Sequence, residues 1–160
     1  ERSLAPSLRA AFLAQAARAW LAADAADAAR AAIDRALALA PDDPQLLTDR
    51  AETRAAQGDY AGAVDDLSAA LAGDPRSADA LVLRASAYRR LGRSEAALAD
   101  LAAALAIDRR HGEALVERGL IRHLKGDLDG ARADWQEVIA VAPGTPSAEM
   151  AIAYLAQTLP

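Results

Sequence analysis

The residues of this 160-residue sequence that could do chemistry are few and widely separated. There is no cysteine, and the two histidines, His111 and His123, lie 12 positions apart. A catalytic centre needs a nucleophile, a base and an orienting group within reach of one another, and two histidines alone cannot complete a metal site. We therefore expect a protein that is not an enzyme and that has no metal site.

The segment PDDP at residues 41–44 carries carboxylates that resemble a metal-binding cluster. Its two prolines favour another interpretation, in which one helix stops and Asp42 and Asp43 cap the start of the next. No glycine-rich phosphate loop occurs, so no cofactor is expected. We expect His111 to be a solvated loop residue, whereas His123 is either a surface residue or a contact in a binding groove.

The elements that must position these residues recur with a fixed period. Gly58, Gly92 and Gly126 are spaced 34 residues apart, and an alanine-rich run follows the first two of them. A period of this length is typical of stacked helical repeats. The predicted units cover residues 10–43, 44–77, 78–111 and 112–145.

Apolar residues in the second unit follow helical rather than strand periodicity. Leu47 and Ala51 share a face of one predicted helix, and Ala63 and Leu67 share a face of the next. Gly58 suits the turn between them because glycine adopts positive φ without strain. Each unit is therefore predicted to be two helices joined by a tight turn.

This pattern resembles the tetratricopeptide repeat, a helix-turn-helix unit of the same length. The small residue between the two helices recurs in all four units, as Ala17, Ala51, Ala85 and Gly119. In the second helices, a small residue stands four positions before a large one, as Ala29–Ile33, Ala63–Leu67, Ala97–Leu101 and Ala131–Trp135. The resemblance implies an all-α fold: an α-solenoid of antiparallel helix pairs in a right-handed superhelix of about nine helices.

The sequence departs from the family pattern at a few positions. The tyrosine position holds Trp20 and Tyr88 in two units, but Arg54 and Arg122 in the other two. In the first unit, Asp24 replaces the turn glycine.

The last segment begins like a further first helix. Pro146 suits the first position of a helix, and a repeat array needs a cap over its final unit. We predict a capping helix over residues 146–158, so that residues 1–160 form a single repeat domain. Residues 1–6 are expected to be loose or to start a helix at Pro6.

One departure from the family pattern is itself periodic. Arginines recur before the small residue of three units, and aspartates recur in their second helices, as Arg50, Arg84, Arg118, Asp66, Asp100 and Asp134. The first unit has Ala16 and Ala32 at the two positions, so the charges are present or absent together. We predict structural ion pairs, each formed within one unit or between neighbouring units, that set packing and register.

The first helices are expected to line a concave groove. Removing the packing face leaves these candidate groove residues: Thr48, Glu52, Val82, Ser86, Arg89, Arg90, Val116, Leu120, His123, Met150 and Tyr154. The later part of the groove is apolar. Its edge is expected to be basic, because residues 76–125 carry a net charge of +4, whereas residues 1–75 carry −5 and residues 126–160 carry −4. Met150 and Tyr154 have a second interpretation, as packing residues of the cap.

A stacked helical array usually serves as a binding surface. We expect a non-catalytic interaction module or scaffold that binds a peptide or helix of a partner protein, one with an acidic or carboxylate feature. The alternative is structural self-association, with acidic ends docking on a basic middle. The net charge of −5 and 4% aromatic content disfavour nucleic acid as a partner.

Several further expectations follow from composition. The absence of asparagine and the single lysine, Lys125, argue against the subclass of this family that clamps chaperone carboxylates with lysine and asparagine. No membrane span is expected, and the protein is expected to be a monomer or a weak homodimer.

Abundant arginine and alanine suggest a bacterial source, with the cytoplasm or periplasm as compartment. Because the sequence starts at Glu1, we expect a trimmed or processed product, with any signal peptide outside it.

Overall fold

The computed structural model describes residues 5–158, which contain nine α-helices and no strand. The helices are α1 Pro6–Ala22, α2 Ala26–Leu37, α3 Pro44–Ala56, α4 Tyr60–Gly73, α5 Ala78–Arg90, α6 Ser94–Ile107, α7 Gly112–Leu124, α8 Leu128–Val141 and α9 Pro146–Thr158. The predicted all-α class built from helix pairs is confirmed. The first helix starts at Pro6, and residues 1–4 of the segment expected to be loose lie outside the described range.

The chain divides into two compact units, residues 1–75 and residues 76–160. In the first unit, α1 packs on α2, α3 packs on α4, and α3 also contacts α1 and α2. In the second unit, α5 packs on α6 and α7 on α8, while α9 packs on both α7 and α8. The ninth helix spans the range predicted for the cap, and the division after Pro75 falls two residues before the predicted boundary between the second and third repeats.

The turns inside the hairpins depend on residues that tolerate positive φ. Gly58, Gly92 and Gly126 have φ of 82°, 72° and 86°, a region that glycine enters without steric cost. At the corresponding position of the first hairpin, Asp24 has a φ of 57°. Aspartate is among the few residues with a side chain that visit this region, so the turn is kept although the glycine is absent.

Side-chain caps start several of the helices. Asp59 and Asp127 accept hydrogen bonds from the backbone amides of Gly62 and Gly130, both at 2.9 Å. These contacts satisfy amides that the first helical turn leaves unpaired. Each of the two hairpin turns therefore combines a glycine that reverses the chain with an aspartate that starts the next helix.

Within residues 5–158, no helix has the length and apolarity needed to cross a lipid bilayer.

Two helices approach each other very closely in the last hairpin. Trp135 on α8 is only 1% exposed, and it lies against Gly119 on α7. A Cβ atom added to Gly119 would collide with the indole Nε1 and would lie 2.8 Å from its Cδ1. The other repeats combine alanine at this position with leucine or isoleucine in the second helix. The glycine therefore compensates for the larger volume of the tryptophan.

We expect Gly119→Ala to lower the free energy of unfolding by about 1–2 kcal/mol, because overpacking costs more than the roughly 1 kcal/mol that alanine gains in helix propensity. Urea unfolding measures the change. The double variant Gly119→Ala/Trp135→Leu recreates the combination of Ala85 and Leu101 in the third repeat. It should be more stable than the sum of the single effects indicates, and strictly additive effects would contradict this account of the packing.

Candidate functional site

The second unit contains an apolar cleft between α5, α7 and α9, with a volume of about 230 Å³. Val82, Val116 and Met150 hold the same repeat position on these three helices, and all three line the cleft. The rest of the lining consists of Leu83, Ser86, Glu113, Glu117, Pro146 and Ser147. The helical repeat thus brings four of the predicted groove residues together here, the three above and Ser86.

The cleft has a closed floor and an accessible wall. Val82 and Val116 are 4% and 3% exposed, whereas Met150 is 48% exposed. Methionine has a flexible, polarisable side chain that adapts to irregular surfaces. Small-molecule sites usually have volumes of about 300–1,000 Å³, so this smaller cleft suits a side chain of a partner better than a free ligand.

The polar edge of the cleft is organised around Glu117. Arg89 donates to it twice, from Nε at 2.8 Å and from Nη2 at 3.3 Å, and the Ser86 hydroxyl lies 3.4 Å from the same carboxylate. Glu113 is exposed in the first turn of α7. The basic edge expected from the sequence is therefore mixed, because Arg89 is bound by a carboxylate of the neighbouring helix.

Two predicted groove residues lie around the buried tryptophan of α8 instead of lining the cleft. The rings of His123 and Tyr154 lie 5.9 and 5.1 Å from the Trp135 ring, and Tyr154 is stacked on it. Leu120 is half-buried and Arg90 is exposed, and neither lines the cleft. The interpretation of Tyr154 as a packing residue of the cap is consistent with this stacking.

The other two predicted groove residues lie on α3, in the first unit. The Thr48 hydroxyl donates to the Pro44 carbonyl at 2.9 Å. Glu52 is half-buried. The pKa of Arg18 is raised, mainly by its hydrogen bond to Asp49 and to a smaller degree by the charge of Glu52.

The three arginine–aspartate pairs each join the two helices of one hairpin. Arg50 reaches Asp66 with bonds of 2.9 and 2.6 Å, and Arg84 reaches Asp100 with two bonds of 2.7 Å. The third pair, Arg118 with Asp134, has its shortest bond at 2.6 Å. The aspartates are buried and the arginines partly buried. Of the two arrangements that the sequence allowed, the one within a single unit is present in all three hairpins.

The sequence interpretation missed a second arginine at two of these carboxylates. Arg54 donates to Asp66 at 2.9 Å, and Arg122 lies 2.8 Å from Asp134. Both arginines hold the position at which the third hairpin has a tyrosine, Tyr88. An arginine four residues after another arginine on the same helix face was the available signal.

The third hairpin uses the tyrosine differently. The guanidinium of Arg84 lies 5.8 Å from the centre of the Tyr88 ring, within the range of a cation–π contact. The first hairpin has neither member of the pair. There, Arg18 on α1 donates to the buried Asp49 on α3 at 3.0 Å, and Gln45 donates to the same carboxylate at 3.0 Å.

Two of the paired arginines, Arg50 and Arg84, have a raised pKa. Hydrogen bonds to Asp66 and Asp100 raise the pKa of Arg50 and Arg84, although burial acts in the opposite direction. A raised pKa gives stability that is present below the arginine pKa of the unfolded chain. That stability is lost only as the pH rises through the higher pKa of the folded state.

Two further candidate residues, Asp43 and His111, are the N-caps of α3 and α7. Asp43 accepts from the amides of Gln45 and Leu46 at 2.9 and 3.1 Å, as the PDDP segment predicted. His111 lies outside the helices, as expected, at the N-cap of α7. The expectation that it is solvated is wrong, because its side chain is 11% exposed and lies 2.9 Å from Asp79. Its Nδ1 accepts from an α7 amide. In the described part of the chain, no three His, Cys, Asp or Glu side chains form a group that could hold a metal ion.

Comparison with family models gives two matches, both described as tetratricopeptide repeat. One covers residues 15–85 and the other residues 54–118. No curated protein matches the sequence significantly.

Some solved structures match a larger part of the chain than either family model does. A thermophilic tetratricopeptide repeat protein of Thermus thermophilus is 26% identical, with a TM-score of 0.83 over 93% of this chain and 83% of that one. YrrB, described as having an unusual peptide-binding site, is 17% identical, with a TM-score of 0.76 over 94% and 75% of the two chains. The first repeat domain of Spaghetti (RPAP3), bound to the HSP90 peptide SRMEEVD, is 27% identical, with a TM-score of 0.64 over 71% and 90%.

We expect Asp100→Ala to lower the free energy of unfolding by about 2–4 kcal/mol, because Arg84 loses its carboxylate in a partly buried site. The control is Glu95→Ala, which breaks an exposed pair with Lys125 and should cost less than about 1 kcal/mol. Urea unfolding measures both. The reversed pair Arg84→Asp/Asp100→Arg should be more stable than either single reversal, and the pairing is incorrect if it is not.

Proposed function

The chain belongs to the tetratricopeptide repeat family, and we propose that it acts as a non-catalytic interaction module or scaffold that binds a peptide or helix of a partner protein. The observation that carries this proposal is the cleft of the second unit. Its three helices contribute Val82, Val116 and Met150 from one repeat position, and these side chains form a closed apolar floor with an accessible wall.

An apolar side chain of the partner is the natural occupant of this cleft. Burying a leucine-sized side chain contributes about 1.5–3 kcal/mol, and a cleft of about 230 Å³ accepts such a group without opening the helices. A bound helix would present anchors three or four residues apart along one face. One of these anchors would enter the cleft.

We propose that the partner also carries an acidic or carboxylate feature. Arg89 is half-buried at the cleft edge, and its guanidinium is shared with Glu117. A partner carboxylate would compete with Glu117 for the same donors. The affinity for an acidic partner therefore depends on how strongly this internal pair holds Arg89.

A related structure supports the class of partner but not one particular mode of binding. The Spaghetti (RPAP3) domain was solved with a bound HSP90 peptide. In the present chain there is no asparagine, and the single lysine, Lys125, lies at the end of α7 in contact with Glu95. We therefore propose recognition through the apolar cleft instead of a lysine and asparagine carboxylate clamp.

The cleft is tested by Met150→Glu with Ile152→Glu as a matched control. Both side chains lie on α9 with similar exposure, 48% and 53%, but only Met150 lines the cleft. Short peptides selected from a phage-displayed random library on the wild-type protein serve as probes, and fluorescence anisotropy measures their affinity. We expect Met150→Glu to weaken peptide binding about tenfold or more, which equals about 1.4 kcal/mol. Ile152→Glu should leave the peptide affinity nearly unchanged. Equal affinities of the two variants would place the binding site elsewhere.

The acidic feature is tested separately by Glu117→Gln. This change removes the charge that holds Arg89 but keeps the shape of the side chain, so selected peptides with an acidic residue should bind several-fold more tightly than to the wild type. Uncharged versions of the same peptides are the control and should change little. If the acidic peptides bind Glu117→Gln more weakly than the wild type, the proposal of an acidic partner is wrong. The proposal that the apolar cleft binds a side chain is not affected by that result.

A further inference from the structure

The outward face of α1 is apolar although it packs on nothing within the described residues. Ala10, Ala14 and Ala17 form the buried face of the helix. On the opposite side, Leu8 and Phe12 are 44% and 54% exposed. Large exposed apolar residues on one helix face mark an interaction surface.

The exposed residues form a continuous stripe that we call the α1 face. Its members lie four and three residues apart, which places them on one side of a helix: Leu8, Phe12, Gln15, Ala19 and Ala22. All five are exposed, and none is charged. The stripe runs almost the whole length of α1.

One position of this stripe is covered by a helix in two other repeats. The position of Phe12 holds Leu46 in α3 and Ala114 in α7, and both are buried. In these cases the preceding second helix, α2 or α6, packs on the first helix that carries the residue. Around Phe12, the α1 face is therefore the same kind of helix-packing surface, and no helix of residues 5–158 covers it.

The pattern of the α1 face makes it complementary to a second copy of itself. If two α1 helices lie antiparallel about an axis at Gln15, Leu8 faces Ala22 of the second copy, and the stripe residue nearest to Phe12 is Ala19 of that copy, one residue from the symmetric position. Large side chains thus meet small ones, as close packing requires. At the axis, the two Gln15 amides face each other, and each can both donate and accept a hydrogen bond.

The charges beside the α1 face fit the same arrangement. No acidic residue occurs in α1, so the pairing brings no carboxylates together. Arg9 is exposed on the same flank of the stripe as Trp20, which is half-exposed. In the antiparallel pair, Arg9 of one copy lies beside Trp20 of the other, where a cation–π contact is favourable.

We propose that the α1 face is a self-association surface, on which two copies of the chain form a two-fold symmetric dimer through antiparallel α1 helices. The occupant is a second copy, because the stripe matches itself in size, hydrogen bonding and flanking charge. This differs from association of acidic ends with a basic middle, since the contact is apolar and involves one helix. It is also separate from the binding cleft, which is lined by α5, α7 and α9.

Sedimentation velocity on the whole chain, over about 1–300 μM, is the primary test, since small interfaces associate weakly. The wild type should show a dimer fraction that rises with concentration. Phe12→Asp should weaken dimerisation at least about tenfold, which corresponds to the cost of burying a charge. Ile152→Asp, at an equally exposed position on α9, should dimerise like the wild type. Circular dichroism verifies that the variants stay helical.

Gln15 gives an independent test of the geometry, because it is exposed and faces its own copy. Gln15→Glu and Gln15→Lys should each weaken the dimer through like-charge repulsion, whereas an equimolar mixture of the two should restore it. A wild type that stays monomeric throughout the range would overturn the proposal. Equal loss of dimer in Phe12→Asp and Ile152→Asp, or a mixture no stronger than its components, would also overturn it.

Discussion

The fold depends on how closely the two helices of each hairpin can approach. Only 4% of the residues are aromatic, so a few large side chains must be enclosed completely to give a stable interior. Alanine or glycine on the first helix creates the necessary space, and one large residue of the second helix fills it. Gly119 and Trp135 are the extreme case, because the largest side chain available requires the smallest partner.

The arginine–aspartate pairs add orientation to that spacing. A buried carboxylate must be matched by donors in a narrow geometry, whereas apolar contacts between alanine-rich helices tolerate sliding. Asp66 and Asp134 each receive two arginines, from consecutive turns of the facing helix. In the third hairpin, Asp100 receives the single arginine Arg84, and the Tyr88 ring packs near that guanidinium. Replacing a buried ion pair by well-packed apolar residues of similar volume is often neutral or stabilising, so we propose that these pairs act mainly by excluding alternative registers of the two helices.

Most of the fold could be predicted from the sequence because the same turn and packing residues recur in several units. The three turn glycines show where the hairpins reverse, and a proline with a suitable first turn defines the start of α9. Asp24 shows the limit of this reasoning, since a residue that breaks the pattern still adopts the same backbone conformation. The loop position of His111 is predicted correctly, but the sequence does not reveal that its ring caps a helix and contacts Asp79 instead of lying in water.

The candidate site was predictable in part. Repeat spacing identifies Val82, Val116 and Met150 directly, because one helical position must recur on one side of the stack. Repeat spacing does not identify Glu117 as the partner of Arg89. That contact joins α5 to α7, and the distance between two helices cannot be derived from the periodicity of either one. The two arginines that replace the family's tyrosine were recognised as departures from the pattern. Their common carboxylate partner emerged only from the packed hairpins.

The two tryptophans of the chain differ in surroundings and lie in different compact units. Trp20, on α1, is half-exposed to water, whereas Trp135, on α8, is enclosed between a histidine and a tyrosine ring. Indole fluorescence shifts to shorter wavelength in an apolar environment, so each unit contains its own spectroscopic reporter. Replacing one indole at a time by phenylalanine would let the melting of each half of the molecule be followed without labels, and would show whether the halves unfold together.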